Sequence, residues 1–140
     1  NYTNSILASS QAKKLGYSEA LMLDIKGNIS ESPAANFFYE KDGALFTPTT
    51  EFAYDGITRQ TIIELAKQWN IKVTEKEISV EEIYEADYAF LTGTATEVSP
   101  IKSINGEVFK GEWEDSNAHS LYMMYRQQVM FNEYQGLTIV

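Results

Sequence analysis

Asp42-Gly43 stands between two runs, Asn36 to Lys41 and Ala44 to Thr47, that read as strands. Asp-Gly in that setting predicts a two-residue hairpin, because both central positions of the turn need a positive φ. A hairpin fixes register, and register decides which side chains face a core. The chain is therefore expected to build a sheet around this pair.

Helical patterns flank the sheet. Tyr2 to Leu15 reads as a helix, with Ala8, Ala12 and Leu15 on one face. Gly16 should end it, after two lysines that suit the negative helix end. Thr58 to Trp69 reads as a second helix, with Ile62, Leu65, Ala66 and Trp69 as its buried stripe. Ser79-Val80-Glu81-Glu82 has the capping-box pattern, so a short helix is expected there. Asn117 to Phe131 reads as a closing helix, with Leu121, Tyr125 and Val129 in register.

Further strands are expected at Glu19 to Asp24, Lys72 to Ile78, Asp87 to Thr92 and Val98 to Ile104. Lys26-Gly27-Asn28 and Asn105-Gly106 read as turns. The mixture makes one α/β or α+β domain spanning residues 1–140.

Composition removes several function classes. The net charge of −9 argues against nucleic acid, which demands a basic face. The lack of cysteine excludes disulfides and thiolate chemistry, and a single histidine, His119, excludes a His-rich metal site. No apolar run approaches the roughly 20 residues that span a membrane. A few backbone amides can still hold an anion inside an acidic protein.

Two segments offer such amides. Gly56-Ile57-Thr58-Arg59 opens a helix, and Gly93-Thr94-Ala95-Thr96-Glu97-Val98 follows a strand. Each has a bland reading. Thr58 could cap its own helix, and Gly93-Thr94 could be a plain turn. The functional reading places a phosphate on the free N–H groups of Ile57 and Thr58, with Gly56 allowing close approach. Glu31 is by default a solvated carboxylate and Tyr2 a packing aromatic. Trp69, Trp113, Met123, Met124 and Tyr125 read as packing residues.

In this order the motifs resemble the class IV pyridoxal-phosphate aminotransferases, the branched-chain amino acid aminotransferases above all. Asn1-Tyr2 matches the Asn-Tyr that follows the family's lysine. Glu19-Ala20-Leu21-Met22-Leu23-Asp24 is similar to the family's Glu-Ala-Leu-Leu-Leu-Asp strand, and Ile29-Ser30-Glu31 with Asn36-Phe37-Phe38 matches the segment carrying its pyridine-nitrogen glutamate. Lys41-Asp42-Gly43 and Thr47-Pro48 fit the hairpin that follows. Ser32-Pro33-Ala34-Ala35 replaces a glycine-rich stretch, and Tyr54 stands where a leucine is common. The glycine of Gly93-Thr94-Ala95 favours the branched-chain enzymes over the D-amino acid aminotransferases.

The resemblance implies the large C-terminal domain of a fold-type IV enzyme, a pseudo-barrel of strands surrounded by helices, with the small N-terminal domain missing. It implies pyridoxal 5'-phosphate as cofactor. Tyr2 would hold its phenolic oxygen, Glu31 its ring nitrogen, and Gly56, Ile57, Thr58, Gly93 and Thr94 its phosphate. The amides of Thr94 and Ala95 would take the substrate carboxylate. The Schiff-base lysine would lie upstream of Asn1, so the chain alone is expected to be inactive. The parent would transfer the amino group of leucine, isoleucine or valine to 2-oxoglutarate as a cytoplasmic homodimer, with no metal, membrane or nucleic acid. A D-amino acid aminotransferase or aminodeoxychorismate lyase shares most of these motifs. A non-catalytic binding module of the same fold is the alternative of another class.

Overall fold

The computed structural model describes the backbone of residues 2–51, 53–94 and 97–138, and the side chains of residues 6–51, 53–94 and 97–131. The elements are α1 (Tyr2–Lys14), β1 (Glu31–Ser32), β2 (Ala35–Lys41), β3 (Ala44–Thr47), α2 (Ile57–Gln68), β4 (Val73–Glu75), α3 (Val80–Ile83), β5 (Tyr88–Gly93), β6 (Glu97–Ile101), β7 (Ser103–Ile104), β8 (Glu107–Val108) and α4 (Asn117–Thr138).

The expected hairpin organises the main sheet. Asp42 and Gly43 take φ of 51° and 80°, so both central residues of the turn are left-handed. Strand order is β4-β3-β2-β5-β6, with β1 also paired to β2. Among the described strands only β3 and β4 run parallel. The second expected turn, Asn105-Gly106, has φ of 51° and 83° and joins β7 to β8.

The sheet has a core on each face. On one, Phe38 lies directly opposite Phe90, with rings stacked at 4.9 Å. Ile62, Leu65 and Ala66 of α2 and Ala118 and Leu121 of α4 cover them. On the other, Phe37, Tyr39 and Ala89 pack with Ile29, Ile78 and Ile83. Alternation along β2 therefore feeds both cores, and six of its seven residues are buried.

Local chemistry sets the boundaries. Gly16, at φ 88°, ends α1: its N–H donates to Lys13 O, and the Tyr17 N–H to Ala12 O, a Schellman pair. The Ser79 hydroxyl accepts from the Glu82 N–H, and the Glu82 carboxylate from the Ser79 N–H, completing the capping box of α3. The buried Glu40 carboxylate accepts from the N–H groups of Asn117 and Ala118, at 3.1 and 2.9 Å, and so caps α4 from across the sheet.

Several expectations need correction. Glu19 to Asp24 is not a regular strand. The Asp24 carboxylate accepts from the Lys26 and Asn28 N–H groups and turns the chain at once, leaving only an isolated bridge between Leu23 and Ile29. Lys72 to Ile78 pairs only over Val73–Glu75. Val98 to Ile104 divides between β6 and β7. Trp69 lies outside the buried stripe of α2, because it is the C-cap residue where the backbone leaves the helix, and it is 62% exposed.

Candidate functional site

Three strands bring the site residues to one end of the sheet. Glu31 in β1 pairs with Asn36 in β2, and Asn36 pairs with Thr92 in β5. Directly opposed residues share a face, so Glu31, Asn36 and Thr92 form one row about 10 Å across. Gly93 and Thr94 continue β5 past this row into the turn that leads to β6.

The turn between β1 and β2 uses the unusual segment noted above. Ser32 pairs with Ala35, leaving Pro33-Ala34 as a two-residue connection. Ala34 sits at φ 63°. Proline followed by a positive-φ residue is the type II pattern, and glycine would normally fill the second place.

Asn36 is the hub. It is buried; its amide nitrogen donates to Tyr54 O and its amide oxygen accepts from the Gly56 N–H at 3.3 Å. The Tyr54 N–H donates to Glu31 Oε2 at 3.1 Å. The peptide groups of Tyr54 thus tie the acid to the asparagine, and Gly56 is held beside both. A β-carbon at Gly56 would lie 2.7 Å from the Asn36 amide oxygen. The glycine is therefore demanded first by Asn36, since its own φ of −67° suits any residue.

Gly56, not Thr58, is the N-cap of α2, and no side chain caps that end. The first intrahelical bond runs from the Gln60 N–H to Gly56 O. The N–H groups of Ile57 and Thr58 have no acceptor among the described residues. Such amides, with the positive helix end behind them, suit an anion. Ile57 is exposed and Thr58 buried.

The structure joins Glu31 and Gly56 through Tyr54 and Asn36, sets Ile57 and Thr58 next in α2, and sets Gly93 and Thr94 directly after Thr92, the strand partner of Asn36. The Tyr2 side chain and Ala95 lie outside the described residues. Tyr54, at the position of the common leucine, is 74% exposed.

Sequence reasoning missed two contributors. Arg59 is 3% exposed and reaches Asp55 at 2.7 Å, the Pro48 carbonyl at 3.2 Å, and Glu75. It stood in the quoted motif with Asp55 at the i,i+4 spacing, yet its other partners, Pro48 and Glu75, come from positions that no local pattern links to it. The Thr92 hydroxyl is fully buried with no hydrogen-bond partner among the described residues. No pattern short of the strand register could have revealed that.

A profile described as Amino-transferase class IV matches residues 1–104. This chain belongs to the class IV aminotransferases. A branched-chain-amino-acid aminotransferase of Salmonella typhimurium is 48% identical over 107 residues, covering 76% of this chain and 35% of that relative. The chain thus spans about a third of the length of the curated relatives it matches. Among class IV structures, the branched-chain amino acid aminotransferase from Escherichia coli superposes with a TM-score of 0.83 at 40% identity, over 93% of this chain and 43% of that one. The branched-chain amino acid aminotransferase from Thermobaculum terrenum, in its PLP form, gives 0.89 at 36% identity, over 96% and 44%.

The residues present fit the cofactor that this class implies. A pyridine phosphate needs an anion cradle at one end and a carboxylate at the other. The open start of α2 and Glu31 are such a pair, linked through Tyr54 and Asn36. A cleft of about 720 Å³ lies at the opposite end of β5 and is lined by residues that include Glu40, Tyr84, Asp87, Tyr88 and Gly111. It contains none of the site residues named from the sequence. No group of acids and histidines among the described residues could hold a metal ion, and no described helix is long and apolar enough to cross a membrane.

Proposed function

We propose that this chain is the cofactor-binding part of a branched-chain amino acid aminotransferase that uses pyridoxal 5'-phosphate. One observation supports the reading: Glu31 and the Gly56 start of α2 are tied together through Tyr54 and the buried Asn36, whose strand partner Thr92 stands two residues before Thr94. Scattered corners would fit a plain structural domain.

Bound pyridoxal phosphate supplies the electron sink for the pair left on a substrate α-carbon. The chain's own residues bind and orient. Glu31 accepts a hydrogen bond from the ring nitrogen, where its negative charge favours the protonated form. The Ile57 and Thr58 amides donate to the phosphate from the positive end of α2. Thr94 adds a hydroxyl from the second corner. The Thr94 and Ala95 amides take the substrate carboxylate, and the Tyr2 hydroxyl donates to the phenolic oxygen. The substrates are leucine, isoleucine or valine with 2-oxoglutarate. The parent enzyme is a cytoplasmic homodimer completed by a smaller N-terminal domain.

Two measurements test this. Pyridoxamine 5'-phosphate added to the ¹⁵N-labelled chain should shift the Ile57, Thr58 and Thr94 amide resonances together. Shifts confined to the cleft beside Tyr88 would overturn the site. The intact enzyme should turn over leucine, isoleucine and valine; strong D-alanine turnover without leucine turnover would overturn the substrate class.

A further inference from the structure

We propose that Arg59 is a positioning residue for the ring end of the cofactor site, acting through Pro48, Tyr54 and Asp55 in the loop between β3 and α2. This rests on the pyridoxal phosphate reading and adds to it a residue that need touch neither cofactor nor substrate.

The argument starts from burial. A guanidinium this deep is costly unless its donors are matched. Arg59 matches them with a specific set. Nη1 donates to the Asp55 carboxylate, at the end of the loop. Nη2 donates to the Pro48 carbonyl, at the start of the loop, and to the Glu75 carboxylate in β4. One planar fork therefore holds both ends of the loop and fixes them to the sheet edge. Nε is buried with no partner among the described residues, so the fork makes these three contacts at the expense of that donor.

The loop in turn holds the ring end. Tyr54 is the neighbour of Asp55; its N–H donates to Glu31 and its carbonyl accepts from Asn36. A shift of Asp55 moves Tyr54, and Tyr54 sets where the Glu31 carboxylate points. The phosphate end depends on other supports. Ile57 and Thr58 belong to α2, which is anchored by the buried Ile62, Leu65 and Ala66. Arg59 should thus govern the two ends of the site unequally.

That inequality is measurable with two probes. One is 4-deoxypyridoxine 5'-phosphate, which has ring and phosphate but no aldehyde, so no lysine is needed. The other is inorganic phosphate. Arg59→Lys keeps the charge and loses the fork. It should weaken the ring probe about tenfold, the scale of one charge-assisted hydrogen bond, and change phosphate affinity less than about twofold. In a Glu31→Gln background the same change should cost the ring probe less than about twofold, because the negative charge being positioned is gone. Tyr54 amide exchange should accelerate in Arg59→Lys while Phe38 and Phe90 stay protected. Glu75→Gln keeps an acceptor but removes the charge from a half-exposed leg and should show the same pattern more weakly, which keeps the test open should Arg59→Lys not fold.

Equal losses for both probes, or a tenfold loss that persists without Glu31, would make Arg59 merely structural and overturn the proposal alone. A ring probe that binds no better than phosphate, or is indifferent to Glu31→Gln, would overturn the cofactor reading and this proposal with it.

Discussion

Gly56→Ala tests the hub directly. The new β-carbon would sit 2.7 Å from the Asn36 amide oxygen, a separation that real β-carbons essentially never show. The backbone at residue 56 is extended, at φ −67° and ψ 154°, so alanine meets no strain of its own. It would even restrict the unfolded chain, a gain of about 0.4–1 kcal/mol. Against that, Asn36 must move. Its side chain is short, buried and held at both ends, so moving it breaks its bonds to Tyr54 and Gly56. Overpacking costs about 1–3 kcal/mol, and each lost hydrogen bond about 1 kcal/mol. The net expectation is a loss of roughly 2–4 kcal/mol, a midpoint shift easily read by urea denaturation followed by circular dichroism. Asn36→Ala removes the clash, so the double variant should be less destabilised than the sum of the singles by more than about 0.5 kcal/mol. A neutral or stabilised Gly56→Ala, or strict additivity, would mean that Asn36 does not occupy that space, and the geometry proposed for the site would fall.

Four further outcomes can be checked by the same denaturation assay. Ala34→Gly should stabilise by about 0.5 kcal/mol, since relief at φ 63° slightly exceeds the entropy cost of glycine; a loss above about 1 kcal/mol would contradict the turn. Ser79→Ala should cost about 1 kcal/mol by opening the capping box of α3, and no loss would mean that the box contributes nothing. Thr92→Val removes a buried hydroxyl with no partner among the described residues, so it should be neutral or stabilise by up to about 1 kcal/mol, whereas a loss of that size would reveal a partner. Burial, opposed by the Ala118 and Asn117 N–H groups, pushes the Glu40 carboxyl above its ordinary range. The folded protein then binds that proton more tightly than the unfolded chain. The stability this gives is full below the ordinary glutamate value of about 4.3 and is lost as pH rises through the raised value. Relative to Glu40→Gln, the native chain should lose stability across that window, and a gain would reverse the assigned direction.

The parts of the fold that local chemistry decides were legible in the sequence. Asp42-Gly43 and Asn105-Gly106 announced their turns because few residues accept two successive positive φ angles. Gly16 and Ser79 marked helix ends by the same kind of local rule. Expectations failed where a side chain competes with the ladder. Asp24 captured two amides and ended a strand that its apolar neighbours suggested. Trp69 lay one residue beyond the helix whose periodicity it fitted.

The candidate site divides along the same line. Glycines beside a helix start or strand end could be read locally, since free amides there follow from backbone geometry. What joins them could not. Asn36 meets Gly56 only because strand β2 delivers it beside the start of α2, 20 residues later in the chain. Arg59 reaches Glu75 across 16 residues, and Glu40 reaches Ala118 across 78. Each is a polar group sealed from water, so each must find a partner, and the register of the sheet chooses which. An anion cradle can therefore be suspected from a dozen residues, but its aim toward Glu31 is a property of the whole sheet. Substitutions in the hub should consequently disturb ligand geometry and stability together, whereas substitutions at the exposed Ile57 side chain should leave both nearly unchanged.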